Sequence, residues 1–190
     1  LYKPEIPVLE ESVLLEFARS MQSLCEQDPA NEPLRTIRRT WSAEIKKENP
    51  YYTAVSSAAL VGLSNRYPRE LVYNLVDCSI LSYMILKKQA KKNGSRMPII
   101  EEDTLRKVNS EYHLSVNSLI TASEDLLDDI ERENNIYGNY ILRTVLNCIP
   151  HETLQKETIG FLMFCYTLFK EQVKKDKLKN WFINSNLQYI

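Results

Sequence analysis

Glycine is scarce in this chain: only Gly62, Gly94, Gly138 and Gly160 occur in 190 residues. A sheet-rich fold needs many tight turns, and tight turns draw on glycine for backbone conformations with positive φ. So few glycines point away from hairpins and toward helices joined by short connections. The hydrophobic residues agree, because they recur at three- and four-residue spacing over most of the length. The expected fold is all-α, an irregular bundle of about eight helices in a single domain spanning residues 1–190.

Proline places the starts. Pro33, Pro50, Pro68 and Pro150 fall where helices would begin, and proline is harmless in a first helical turn whose N–H has no partner. A first helix is expected from about Val8 to Glu26, with Val13, Phe17 and Met21 on one stripe, stopped by Asp28-Pro29. A second follows Pro33 with Trp41 and Ile45 inward. A third opens at Pro50 with Asn49 as N-cap and with Tyr52, Val55, Ala59, Gly62 and Leu63 inward. A fourth runs from Pro68 to Lys92 and is capped by Asn93-Gly94. After the loop around Arg96-Met97-Pro98, helical periodicity continues from Leu105 to Ile130, as one helix or as two broken near Asn109-Ser110. A short helix through Tyr140 and Ile149, another from Pro150 and a last one holding Leu178, Trp181 and Phe182 complete the chain.

Two stretches are apolar on nearly every side, Cys78 to Leu86 and Ile159 to Phe169. Such a helix is either buried all round or spans a membrane. Both runs fall well short of the roughly 20 apolar residues that a span requires, so these two helices are expected at the centre of the bundle. No repeat at a fixed period is evident.

Cys25, Cys78, Cys148 and Cys165 are widely spaced and form no close ligand pair, so a zinc site is not indicated. Free thiols in a chain with a sizeable core fit a reducing, cytoplasmic setting. The start, Leu1-Tyr2-Lys3-Pro4, has no initiator methionine and no signal pattern, and reads as trimmed. A net charge of -1 argues against a nucleic-acid partner.

Three surfaces hold candidate chemistry. Asp125, Asp128 and Asp129 have the i, i+3, i+4 spacing that could share a divalent metal in an enzyme acting on phosphorylated substrates. They point away from the stripe through Leu126, Leu127 and Ile130, which favours a solvated acidic face. Arg35, Arg38 and Arg39, together with Lys88 and Lys92, could bind a polyanion if they converged. Cations in a last helical turn also complement the helix dipole without any ligand. Asp77, a carboxylate in a mostly apolar helix, should find a base or a donor.

At the C-terminus, Leu178, Trp181, Phe182 and Tyr189 share one stripe, assigned here to the domain's own core. Ile183, Leu187 and Ile190 lie on another side with no obvious internal role, so they form the expected protein interface, the alternative being a tail folded back into a groove of its own domain. No cofactor is implied and no enzymatic constellation emerges. The reading is a non-enzymatic helical interaction or adaptor module, self-associating or binding a protein partner.

Overall fold

A computed structural model describes residues 5–27, 32–112, 126–142 and 152–187. These residues form helices and contain no strand. The elements are α1 (Glu11–Gln27), α2 (Glu32–Glu48), α3 (Pro50–Ser64), α4 (Arg69–Lys92), α5 (Glu102–Tyr112), α6 (126–133), a π-helical turn (Tyr137–Leu142) and α7 (Glu152–Leu187). None of the described helices is long and apolar enough to cross a membrane.

The two all-round apolar stretches lie at the centre. Ile80, Tyr83, Ile85 and Leu86 of α4 are buried, as is every residue of α7 from Phe161 to Phe169. Each such side chain withdrawn from water contributes roughly 1.5–3 kcal/mol before the entropy of ordering it is counted. Tyr52, Tyr83 and Phe169 cluster where α3, α4 and α7 meet, with ring centroids 4.9 to 6.0 Å apart. α4 ends as its sequence indicates. Gly94 takes φ +69°, while its N–H and that of Ser95 return to the carbonyls of Lys91 and Ala90.

Among the described residues the bundle carries one pattern of sequence and contacts twice. Pro7-Val-Leu-Glu10 is matched by Pro98-Ile-Ile-Glu101, Ile45-Lys-Lys-Glu-Asn49 by Ile130-Glu-Arg-Glu-Asn134, and Tyr83 to Gln89 by Tyr166 to Gln172. The contacts match as well. Asn49 donates to the Pro98 carbonyl at 2.8 Å and accepts from the Ile100 N–H at 3.0 Å. Asn134 does the same with Pro7 and Leu9, at 2.9 and 2.8 Å. Gln89 accepts the Glu10 N–H, and Gln172 accepts the Glu101 N–H, both at 3.0 Å. Lys92 pairs with Glu10, and Lys175 with Glu101. Lys87 pairs with Glu48, and Lys170 with Glu133. One pair survives with its signs exchanged, as Lys88–Glu16 in the first copy and Lys107–Glu171 in the second.

Each asparagine holds the extended segment of the other copy. The halves therefore exchange their straps, as the protomers of a two-fold dimer would. The buried hydroxyls agree only in part: Tyr137 bonds Ser82 of the first copy, whereas Tyr52 lies by the equivalent Cys165 of the second but donates to the Ser79 carbonyl of its own copy at 2.9 Å.

Several expectations need correction. Asn49 does not cap α3, since its side chain makes no capping bond and is committed to the second strap. Burial makes that necessary, because the strap's carbonyl and N–H would otherwise have no partner. Pro7 to Glu10 is itself a strap, so α1 begins only at Glu11 and Val8 is exposed. Pro68 immediately precedes α4, Gly62 lies on the open side of α3, and α5 runs unbroken through Asn109-Ser110 to Tyr112.

The largest correction concerns the C-terminus. The two last helices expected from sequence are one, α7, which is 36 residues long. Nothing between Lys170 and Lys179 can break a helix, as the stretch holds neither glycine nor proline. The helix therefore carries Leu178, Trp181 and Phe182 outward instead of folding them back onto the core. Cys25, Cys148, His113, His151 and Pro150 lie outside what the structure describes, either wholly or in their side chains.

Candidate functional site

The surface that stands apart is the distal part of α7. Leu178, Trp181, Phe182 and Ile183 are 60%, 62%, 59% and 58% exposed, although each is large and apolar. Leu178, Trp181, Phe182 and Ser185 follow the i, i+3, i+4, i+7 spacing of a single helix face. Trp181 and Phe182 meet edge to face with centroids 5.0 Å apart, so the two rings make one continuous ridge. Ile183 flanks the ridge. Of the other residues expected at an interface, Leu187 is in the helix with its side chain outside the described set, and Ile190 lies beyond it.

The root of this helix is firmly held. Lys175 binds Glu101 and Asp103, Lys179 binds Glu101 at 2.7 Å, and Gln172 joins the Glu101 N–H and Thr104 to Asp176. Its carboxylates respond accordingly. Hydrogen bonds from Lys175 and Lys179 hold Glu101 below the ordinary glutamate range, and Lys107 and Lys174 do so for Glu171. Beyond Lys179 the described helix has no such tether. The helix matched to it, α4, ends at Lys92 and turns at Gly94, whereas α7 carries a lysine at the equivalent position 177 and continues.

The acidic candidates are not gathered into a site. Asp128 is exposed, with its carbonyl accepting from Arg132 at 3.3 Å, and the Asp129 carboxylate pairs with the Arg132 guanidinium. Asp125 lies outside the described residues. Among the described residues, no three His, Cys, Asp or Glu side chains are placed to share a metal ion.

Three of the basic candidates are engaged in ion pairs. Arg38 pairs with Asp77 and so ties α2 to α4, which supplies the partner that the buried carboxylate requires. Burial lifts the Asp77 carboxyl to about 6 against the opposing pull of Arg38. Lys88 binds Glu16 at 2.8 Å and Lys92 binds Glu10 at 2.7 Å, so both fasten α1 to α4. Arg39 is exposed, and the Arg35 side chain lies outside the described set. Cys165, buried in the core, has its thiol pushed far up by desolvation, which removes it as a nucleophile.

Sequence reasoning missed the exposure of Leu178, Trp181 and Phe182. The absence of any helix breaker between the buried run and Trp181 was the signal that could have found it. In comparisons with family models, curated proteins and solved structures, the chain shows no match.

Proposed function

We propose that the protein is a non-enzymatic interaction module that binds another protein chain through distal α7, its first partner being a second copy in antiparallel register. The observation that carries this reading is the ridge of Leu178, Trp181, Phe182 and Ile183, each more than half exposed on a tethered helix. Aromatic side chains on a preorganised helix contribute disproportionately to association, since little conformational entropy is lost when they are covered.

A two-fold axis crossing the ridge sets the two helices antiparallel, each covering the other's Trp181 and Phe182. A ridge paired with its own copy also forms a closed, isologous contact.

Sedimentation velocity over a concentration series tests the proposal. The unaltered protein should self-associate. The double variant Leu178→Ser, Phe182→Ser should remain monomeric and melt within about 0.5 kcal/mol of the original, as exposed substitutions generally do. A chain that is monomeric at every concentration, or a variant that loses stability yet still associates, would overturn the reading.

A further inference from the structure

The two copies of the fold serve as controls for one another, and they differ in how their cations are neutralised. In the second copy Arg132 pairs with Asp129, Lys174 with Glu171 and Lys179 with Glu101. The residues at the same places in the first copy are Lys47 and Lys91, and the loop that follows α4, where the second copy continues as helix, carries Arg96. Among the described residues none of these three makes an ion pair. All three line one open cleft of about 1010 Å³, bounded by the end of α2, the last turns of α4 and the loop that follows it.

Tyr83, Ala90 and Met97, all buried, lie along the cleft, together with the exposed Ile99. Lys87 also lines it but is already held by Glu44 and Glu48. Two helix C-termini approach the cleft, each equivalent to roughly half a negative charge. Those ends and the surplus carboxylate around Lys87 do not cancel Lys47, Lys91 and Arg96, so positive charge remains. The same helix ends cannot explain the difference between the copies, because α6 also ends beside a cation, Arg132, and there it is ion-paired.

We propose that this cleft binds a phosphorylated ligand, with its phosphates held by Lys47, Lys91 and Arg96 and its apolar part resting on Met97 and Ile99. A guanidinium and two ammonium groups fit a ligand carrying two or more negative charges, since the guanidinium can grip two phosphate oxygens at once. This site is separate from the one formed by Lys88 and Lys92, whose charges are used to hold α1.

Two probes distinguish the sources of such a group. Inorganic tripolyphosphate, measured by titration calorimetry, represents a free ligand. Phosphatidylcholine vesicles with and without phosphatidic acid, measured by co-sedimentation, represent a lipid headgroup. The triple variant Lys47→Gln, Lys91→Gln, Arg96→Gln should weaken binding of at least one probe by about tenfold or more, as expected when charge-assisted contacts are removed. A matched triple variant, Arg19→Gln, Arg69→Gln, Lys156→Gln, removes the same net charge from exposed positions outside the cleft and should bind within about twofold of the original, since only general electrostatics change. Thermal melts of both variants check that each is folded. Loss with tripolyphosphate assigns a soluble ligand, and loss with acidic vesicles alone assigns a headgroup. Failure of the unaltered protein to bind either probe, or equal weakening by both variants, would overturn the proposal.

Discussion

Asp77 shows how one side chain can tune this molecule. Its carboxyl is held near 6 by burial, well above the ordinary 3.8, despite the pairing with Arg38. An acid whose pKa is higher folded than unfolded binds more protons in the native state, so its contribution to stability grows as pH falls. Between pH 7 and 5 this group should therefore stabilise the fold by about 1 kcal/mol. Below about 4.5 the opposite set takes over, because Glu10, Glu16, Glu101 and Glu171 are held low by lysines and lose their pairs when protonated. Denaturation midpoints should pass through a maximum near pH 5, and Asp77→Asn should flatten the rise from pH 7. A rise of equal size in the variant would refute the assignment. The second copy has Gly160 in place of Asp77, so this titration belongs to one half alone.

Among the elements, the central helices were the most legible. Cys78 to Leu86 and Ile159 to Phe169 allow no polar face, and burial is the only outcome in water for runs so short. The distal half of α7 was misread for the converse reason. Its stripe has the amphipathic period of a core-facing helix, and periodicity cannot say whether another element is available to cover it. The straps were invisible because they have no period, and their hydrogen bonds come from residues far along the chain. The connection from α6 to the π-helical turn depends on a close approach that composition does not reveal. A Cβ on Gly138 would lie 3.0 Å from the Glu131 Cα and 3.1 Å from its nitrogen, and backbone atoms cannot step aside as a side chain can. Gly138→Ala should therefore cost about 1–3 kcal/mol through overpacking. Gly62, on the open side of α3 with nothing within 4 Å, provides the contrast. There the same substitution should add about 0.4–1 kcal/mol by restricting the unfolded chain. Urea titrations of the two variants should move in opposite directions, and a common direction would contradict this account of Gly138.

At the scale of the whole molecule, the duplication governs cooperativity. It escaped sequence reading because the copies lie 91 residues apart at their prolines, 85 at their asparagines and 83 at their glutamines. A search for a constant period passes over a spacing that drifts. Since Asn49 and Asn134 each secure the other copy's strap, neither half can loosen without orphaning polar groups in both. Asn134→Ala removes two buried hydrogen bonds and should destabilise the protein by about 2–4 kcal/mol. Amide exchange measured by NMR should show protection falling together in α4 and α7, as for one unfolding unit. Loss confined to α7 would mean that the halves open independently.

The exchanged straps also impose an order in time. During synthesis Leu9 emerges long before Asn134, the side chain that will receive it. At about 5–20 residues per second, the interval is on the order of ten seconds. Once Lys92 has emerged the first unit is complete in sequence yet has its strap unclaimed, and from the emergence of Ile100 onward its own asparagine is free to take the strap of the second. The second strap can thus meet its asparagine before the first strap can, and only when the end of α6 brings Asn134 do Pro7 and Leu9 gain their partner.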